Sequence, residues 1–564
     1  MRRGLIDLSL ILVLLPAAVA AKNPMSELSS KMDGKAQVAG VFGPVSEVLP
    51  HVMGWLERLA ELDRELDTAG ALAEAKKAVG VNPLDPNDLT AVGFDLGGAV
   101  GYQTRDPDNE MVLVLPVADK KKVGAFLEKL MNEGASEKYK KARKGSYKGA
   151  TLWAFVRGKG KSKRIDGAYA VKGGYVWFAA GDKEVDKLKI LKRSLGVTKP
   201  KSLARKKTFL RSVEAVGGGL SGLLLVDLEQ IVAAEIKNTR KQINKLKKKK
   251  GSAEAAMMKP MLDEQLKVFK KLAFMEAGAV AVGLEAKKLT LRGVLLGKPK
   301  GLSPWTDVLK APGSKPFPRG TFEQKSPLWA VLAIDTPGLL KQLRSSFPLG
   351  AALIAGVFQE MGPVLGLDIE RDLLPALTGD VAYVMLGAVP FSGPNFDKGL
   401  FPDELMAFQF LHGLFARVQN VAVVHKALGG VAQMAQQQGE QLATRQEGGA
   451  TVYAFGEEGV SFEWGIAGDT AVLTAGSSPA FSEAVAMQQG SGQSGDEFLR
   501  FSLAGPLLAD WMGQIKLPAT MKPGSPDGAQ WAGTRKTLAT ISKVDGRFTA
   551  KKDRVTGELL LELK

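Results

Sequence analysis

The sequence predicts an α+β protein with two related units of mainly antiparallel sheet backed by helices, and a helical-hairpin insertion between them. Short β-rich segments bounded by Gly- and Asn-rich turns alternate with amphipathic helical segments. The segment Tyr147–Phe155 recurs at Glu447–Phe455, where five of the nine residues are identical. A Pro- and Gly-rich segment, 297–320, separates the two series of elements and predicts a linker between domains.

Residues 1–21 have the pattern of a secretory signal peptide. A charged start, Met1–Gly4, precedes an apolar run, Leu5–Pro16, and a small-residue end, Ala17–Ala21. The apolar run is shorter than the roughly twenty residues of a membrane-spanning helix. We therefore expect an exported protein, periplasmic or extracellular, whose mature chain has no transmembrane helix. The small and polar residues 22–43 predict a flexible lead-in.

The first unit is predicted to span 44–296. Apolar residues at three- and four-residue spacing predict a helix from Val45 onward, and a turn cluster around Pro83 ends it. Alternating patterns predict strands and helices in turn: strands at 98–103 and 111–117, a helix at 120–131, strands at 150–156 and 168–180, and a basic helix at 183–195. A long helical pattern at 227–274, interrupted by Lys247–Gly251, predicts the helical hairpin.

The second unit is predicted to span 321–564, and three weaker repeats support a duplication. Val171–Trp177 is similar to Ile466–Val472, and Gly98–Tyr102 is similar to Gly379–Tyr383. Leu223–Asp227 before a helix is similar to Trp329–Asp335 before another. The same order of the matches along the chain favours duplication over chance similarity of Gly-rich hairpins.

Several of these segments also resemble a known group of proteins. The turn Gly80–Pro86, the strand starts Gly98–Val100 and Gly149–Thr151, and Leu223–Asp227 before a helix resemble uncharacterised exported bacterial proteins that carry duplicated α+β domains of unknown function. The resemblance covers 82–296 and, more loosely, 329–564. It implies this fold and export, and it supplies no catalytic residues.

Composition excludes several kinds of chemistry. The chain has no cysteine, so disulfides, thiol catalysis and Cys-ligated zinc are excluded. It has only three histidines, His51, His412 and His425, which leaves few candidates for a general base. We expect no metal, no cofactor and no enzymatic activity.

Two short motifs are similar to catalytic sequences but lack required residues. Gly160-Lys161-Ser162 has Phe155 where a phosphate loop needs glycine, and a predicted strand follows where a helix is required. Gly219-Leu220-Ser221-Gly222 has Leu223 where a nucleophile elbow needs its second glycine. Neither motif indicates catalysis.

The positive charge is concentrated in one part of the chain. The net charge is +17, and residues 120–250 hold 35 Lys and Arg against 11 Asp and Glu, whereas residues 321–564 hold 19 against 25. The candidate polyanion contacts are Lys120, Lys121, Lys122, Lys140, Lys141, Arg143, Lys144, Lys161, Lys163, Arg164, Lys247, Lys248, Lys249 and Lys250. A merely solvated surface is the competing interpretation. Nucleic acid is not the expected partner, because the neighbouring aromatics have strand spacing that suits a core equally well.

These observations favour an exported, non-enzymatic envelope or secreted protein that binds anionic envelope polymers or lipid headgroups through a basic face. The alternative is a periplasmic carrier of a hydrophobic ligand held between sheet and helices. A hydrolase is the third interpretation. The sequence contains no indication of oligomeric state.

Overall fold

The computed structural model describes residues 24–564 except 63–67, 83, 133–138, 159–163, 183, 219–220, 249–252, 310–315, 347, 391–406, 408, 458–459, 489–495, 518–520 and 522–523. The predicted signal peptide, 1–21, lies outside the described residues. The chain divides into two compact units, Met1–Gly297 and Lys298–Lys564. Both contain helices and antiparallel strands, so the predicted α+β class is confirmed.

The first unit contains ten strands and nine α-helices among its described residues. In chain order they are α1 Pro24–Ser29, β1 Val38–Pro44, α2 Val45–Leu62, α3 Thr68–Val79, α4 Pro86–Ala91, β2 Ala99–Thr104, β3 Glu110–Pro116, α5 Lys120–Asn132, β4 Lys140–Tyr147, β5 Ala150–Arg157, β6 Arg164–Lys172, β7 Tyr175–Gly181, α6 Lys187–Leu195, α7 Lys207–Val216, β8 Gly222–Val226, α8 Leu228–Lys248, α9 Ala253–Leu272, β9 Met275–Leu284 and β10 Lys288–Gly297. Two short 3-10 helices, Lys199–Lys201 and Leu203–Arg205, lie between α6 and α7.

The ten strands form one antiparallel sheet in the order β4-β5-β6-β7-β3-β2-β1-β8-β9-β10. Both faces of this sheet are covered. Leu28, Leu191 and Val216, from α1, α6 and α7, pack on one face, where Val114 and Leu225 point. Helices α2 and α5 pack on the other face, against Val100 and Phe178. The hydrophobic core of this unit is therefore two layers, one on each side of the sheet.

The predicted flexible lead-in, 22–43, is wrong for most of its length. Leu28 and Met32 are fully buried, and β1 pairs with β2 on one side and with β8 on the other. Because Ala39 and Gly40 are small, the sequence pattern of this segment indicated neither a helix nor a strand. Small side chains suit a central strand that is packed on both faces.

The predicted helical hairpin, 227–274, is present as α8 and α9, but it does not lie between the two units. It connects β8 to β9, and β9 pairs back with β8. The strands that follow it, β9 and β10, belong to the first sheet. The hairpin is thus an element of the first unit, with its own small core of Ile243, Leu246 and Leu262.

The second unit contains α10 Pro299–Asp307, α11 Arg319–Lys325, β11 Leu328–Ala333, α12 Thr336–Ser346, α13 Pro348–Leu365, β12 Leu377–Ala388, β13 Phe410–Val418, α14 Val421–Gln437, β14 Ala443–Glu447, β15 Ala450–Glu457, β16 Val460–Ala467, β17 Thr470–Gly476, α15 Phe481–Met487, β18 Glu497–Leu503, α16 Gly505–Met512, α17 Pro526–Thr540, β19 Ile541–Lys551 and β20 Arg554–Leu563. A π-helical turn, Ile369–Leu373, and a 3-10 helix, Leu374–Ala376, precede β12.

The strands of the second unit also form an antiparallel sheet, in the order β14-β15-β16-β17-β13-β12-β11-β18-β19-β20. Phe322, Trp329, Phe415 and Phe481 belong to the core on one face of this sheet. Helix α14 packs on the other, through Val424. When the strands of each unit are counted in chain order, the two sheets have the same order of strands.

Two sequence predictions about the second unit need correction. The repeat that matched Leu223–Asp227 with Trp329–Asp335 is wrong, because β11 pairs with β12 and β18 and so corresponds to β1, whereas β8 corresponds to β18. The described part of the segment 297–320, which omits 310–315, is not an exposed linker, because it contains α10 and the fully buried Phe317. Its prolines exclude a long helix but leave room for a short one.

Candidate functional site

The structure distributes those predicted basic residues that it describes over several separate elements. Lys120, Lys121 and Lys122 are exposed on the first turn of α5. The opposite end of α5 lies beside the start of β4, where the Tyr139 amide donates to Asn132 Oδ1 at 2.5 Å. The 13 residues of α5 span about 20 Å, so the three lysines lie far from the beginning of β4.

Some cations near β4 already have partners. Lys141 Nζ lies 3.4 Å from a Glu128 oxygen and 5.3 Å from the centre of the Trp153 ring. Arg164 Nε lies 3.2 Å from an Asp166 oxygen. Lys140 and Arg143 are exposed and Lys144 is half-buried. Lys161 and Lys163 lie outside the described residues.

The helical hairpin is distant from β4 in the sheet. Strand β4 forms one edge of the described sheet, and β8, which leads into the hairpin, lies seven strand positions away. At about 4.8 Å per position the separation is roughly 34 Å. The start of the hairpin therefore lies far along the sheet from Lys140 and Arg143.

The tip of the hairpin combines exposed cations with exposed apolar side chains. Lys247 and Lys248 are exposed at the end of α8. On the first turns of α9, the helix that follows, Met257 is 72% exposed, Met258 40% and Met261 69%. We call these five residues the hairpin tip. Lys249 and Lys250 lie outside the described residues.

The hairpin as a whole carries a positive excess. Residues 228–272 hold 12 Lys and Arg against 5 Asp and Glu. Two of the acids are paired within α9: Asp263 with Lys259 at 2.6 Å and Glu264 with Lys267 at 2.9 Å. The hydrogen bond from Lys259 lowers the pKa of Asp263 below its usual value. Within the described part of the chain, neither Lys247 nor Lys248 has an ion pair.

Sequence reasoning found the lysines of the hairpin tip and missed its methionines. In α9 the sequence Met257-Met258 followed by Met261-Leu262 makes a wider apolar surface than one partner helix can cover, since Leu262 alone of the four is buried. That excess of apolar residues, next to a lysine run, was the available signal.

The corresponding helix pair of the second unit has a smaller positive excess and no exposed large apolar side chain among its described residues. Helices α16 and α17 connect β18 to β19, and residues 505–540 hold 4 Lys and Arg against 2 Asp and Glu. Arg535 Nε donates to the Ala509 carbonyl at 2.9 Å, so a cation here joins the two helices. None of the large apolar side chains described in this pair is exposed.

A cleft in the second unit has a volume of 470 Å³. Ala355, Phe358 and Pro363 of α13 line it, together with Ile369 of the π-helical turn. The ion pair of Arg344 with Glu370 lies in the same wall. The cleft is thus formed by helical segments and not by the space between sheet and helices where a ligand was expected.

Two of the candidate catalytic residues, Ser221 and His412, form hydrogen bonds with other residues of the fold. Ser221 is fully buried, and its hydroxyl oxygen accepts the Leu284 amide at 2.9 Å. Gly160-Lys161-Ser162 lies outside the described residues, and strand β6 begins soon after it. His412 Nδ1 lies 2.8 Å from the Tyr383 hydroxyl, whereas His425 is exposed on α14.

A metal centre would need several ligating side chains in one place. In the described parts of the chain, no group of three or more His, Asp and Glu is arranged to hold a metal ion. No helix described here is both long and apolar enough to cross a membrane.

Neither a protein-family model nor a curated protein matches the sequence significantly. Solved structures with some similarity include crystal forms I, III and IV of TP0453. Their sequences are 10–11% identical to this chain; the matches cover 47–50% of this chain and 78–82% of TP0453, with TM-scores of 0.23–0.24.

Proposed function

We propose that this is a non-enzymatic binding protein that attaches to anionic lipid surfaces through the hairpin tip. The observation that carries the proposal is that two exposed lysines, which have no ion pair among the described residues, and three exposed methionines occur towards the same end of one helical hairpin. Lysines attract anionic headgroups, and apolar side chains beside them enter the boundary between headgroups and acyl chains.

The lysines and the methionines would each contribute enough free energy to matter for binding to a lipid surface. A lysine close to an anionic leaflet contributes about 1 kcal/mol. Full burial of a methionine contributes about 1.5–3 kcal/mol, and the exposed parts of Met257 and Met261 are still available for it. Two lysines and two methionines therefore give reversible attachment, and the neighbouring Lys241 and Lys245 of α8 strengthen its long-range part.

The methionines favour lipid over an anionic polymer. A polysaccharide or other hydrated polyanion offers charge to the lysines and no apolar phase to Met257, Met258 and Met261. Exposed methionines on a protein surface leave an unfavourable apolar area in water unless something covers it.

We also propose that the protein is exported and that its two units arose by duplication. The pattern of residues 1–21 supports export. Identical strand order in the two sheets supports duplication, as does the position of the repeated segments in the β4–β5 and β14–β15 hairpins. The hairpin tip would then be a feature acquired by one copy.

Vesicle co-sedimentation of the mature full-length protein tests the attachment. Wild-type protein should bind vesicles of mixed phosphatidylglycerol and phosphatidylcholine at low salt, and binding should weaken as salt shortens the screening length to about 10 Å at 0.1 M. K247Q/K248Q should lower the affinity and its salt dependence. M257S/M261S should lower the affinity with the salt dependence unchanged.

A matched control uses exposed lysines of the second unit, K551Q/K552Q, which remove the same charge elsewhere. Equal loss in the control and in K247Q/K248Q would show that only net charge matters. Unchanged binding in M257S/M261S would reject lipid insertion and favour an anionic polymer.

A carrier of a hydrophobic ligand is the second candidate, and the 470 Å³ cleft beside α13 favours it. Its volume lies within the range of about 300–1,000 Å³ that is usual for ligand sites. Fluorescence titration with a fatty-acid probe tests it: A355W should block binding by filling the cleft. Equal binding by wild type and A355W would exclude this site.

A further inference from the structure

A second, smaller pocket of the first unit is strongly basic. Its volume is 160 Å³, and its charged lining consists of Asp33, Lys35, Arg105, Arg193 and Lys201. These residues come from four separate places: the α1–β1 turn, the end of β2, helix α6 and the first 3-10 helix.

The backbone around the pocket is fixed by hydrogen bonds. The Gly34 amide donates to the Lys201 carbonyl at 2.9 Å, and the Leu203 amide donates to the Met32 carbonyl at 2.9 Å. The Asp33 amide donates to Gln103 Oε1 at 2.7 Å. Lys35 and Lys201 are thereby held on opposite chain segments that are joined to each other.

The local charge is positive even after every ion pair is formed. Arg105 lies 2.5 Å from an Asp33 oxygen, and Arg193 forms an ion pair with the buried Glu110. Lys35 and Lys201 have no ion pair to a described residue, which leaves a local charge of +2.

Two buried donors next to the pocket also have no acceptor. Gln103 is 2% exposed, and its Nε2 group has no hydrogen-bond partner among the described residues. The same holds for Arg193 Nε. Buried donors are almost always paired. Of these two residues Arg193 lines the pocket, so its Nε group is the donor that points to an acceptor missing from the pocket.

The end of α6 would ordinarily repel an anion, because the carbonyl groups at a helix C-terminus carry negative partial charge. Here Lys172 Nζ donates to the Leu195 carbonyl at 3.0 Å, and Lys148 Nζ donates to the Gly196 carbonyl at 3.1 Å. Two further cations therefore compensate this part of the pocket wall.

We propose that this pocket binds a phosphate-type oxyanion, either free phosphate or a phosphate group at the end of a larger molecule. The volume equals about five waters, enough for the oxyanion and a partial hydration shell. A dianion would neutralise the local charge and offer an acceptor to Arg193 Nε. The proposal involves different residues from the hairpin tip and is independent of it.

Calorimetric titration of the full-length protein with inorganic phosphate tests the proposal, with chloride at equal ionic strength as the reference. Phosphate should bind with measurable heat and chloride should not. K35Q/K201Q changes two exposed, unpaired lysines, so the fold should survive, as circular dichroism can verify. Its affinity for phosphate should fall roughly tenfold or more, as expected on loss of charge-assisted hydrogen bonds.

The control is K199Q/K207Q, which removes two exposed lysines near the pocket that do not line it. It should bind phosphate like the wild type. Loss of affinity equal to that of K35Q/K201Q, or no preference of the wild type for phosphate over chloride, would overturn the proposal.

A third titration, with dihexanoyl phosphatidic acid below its micelle concentration, identifies the source of the oxyanion. Tighter binding than inorganic phosphate, lost in K35Q/K201Q, would assign a lipid headgroup. Equal or weaker binding, with inorganic phosphate still dependent on the two lysines, would assign the free ion.

Discussion

At the scale of single residues, two buried tyrosines have a pKa well above the usual value of a phenol. Burial raises the pKa of Tyr139 to about 12, assisted by the hydrogen bond that its hydroxyl donates to Asp166 at 2.9 Å. Burial also raises the pKa of Tyr175 to about 12, assisted by the nearby charges of Glu27 and Asp95. Both phenols are therefore held in the neutral form in the folded protein.

These shifts predict a loss of stability in alkali. A tyrosine in the unfolded chain loses its proton near pH 10, whereas Tyr139 and Tyr175 keep theirs until about pH 12. The unfolded state thus binds fewer protons above pH 10, and the free energy of unfolding falls between pH 10 and 12, by about 2–3 kcal/mol per tyrosine. Urea unfolding at pH 9, 10.5 and 11.5 measures this.

The comparison protein is Y139F/Y175F, which should lose less stability over the same interval because phenylalanine does not titrate. Parallel pH profiles of the two proteins would contradict the prediction.

Tyr139 is one of the aromatic residues near the basic segments, and the strand spacing of these residues suited either a core or a nucleic-acid surface. The structure decides for the core, because the residue is only 3% exposed.

At the scale of elements, the segment taken as a linker contributes to the second core. Phe317 is fully buried against Phe322 and Phe415, and the Arg417 guanidinium lies 4.6 Å from its ring centre. Four prolines between 304 and 318 concealed this role, since proline density is also typical of linkers. The buried aromatic was the informative residue, and two of its neighbours in space, Phe415 and Arg417, are about 100 positions away in sequence.

Phe317→Ala should therefore destabilise the second unit by about 3–5 kcal/mol, because it leaves a cavity and removes apolar burial. Thermal unfolding followed by tryptophan fluorescence measures the effect, since Trp329 lies in the same core. Gly320→Ala, at a position with open space around it, is the control and should leave stability equal or slightly higher. A loss below about 1 kcal/mol for Phe317→Ala would show that the segment is loosely attached.

The helical hairpin shows what sequence patterns can and cannot predict for an element. Its two helices and the break near Lys247–Gly251 were predicted from periodicity and glycine. Its place in the first sheet was not, because that depends on the pairing of β8 with β9 across about 50 intervening residues. Its exposed methionines needed the packed structure, since periodicity alone assigns them to a core.

At the scale of the whole molecule, the central strands of each sheet are packed against other residues on both faces. The strands at the edge are more exposed. Strands β1, β2 and β8 lie well inside the first sheet, and β4 lies at its edge. Local repeats predicted two units, and the repeated segments lie at the β4–β5 and β14–β15 turns. They could not predict the strand order, because β1 pairs with β8 over some 180 residues.

Hydrogen exchange followed by mass spectrometry should be slow in the central strands and fast in the edge strands. Amides of β1, β2 and β8 should exchange slowest in the first unit, because their opening requires the whole sheet to separate. Amides of β4 should exchange much faster. The second unit provides the internal comparison, with β11, β12 and β18 slow and β14 fast. Slow exchange in β4 and fast exchange in β1 would mean that the strand order is incorrect.

The cations on β4 have one more consequence, which concerns association between copies of the protein. An edge strand offers unpaired amide and carbonyl groups that can template pairing with another chain. Within eight residues β4 carries Lys140, Lys141, Arg143 and Lys144. A second β4 approaching this edge would bring the same charges into contact and be repelled. Part of the positive charge in this unit thus keeps the molecule from aggregating along its own sheet, whether or not any ligand is bound elsewhere.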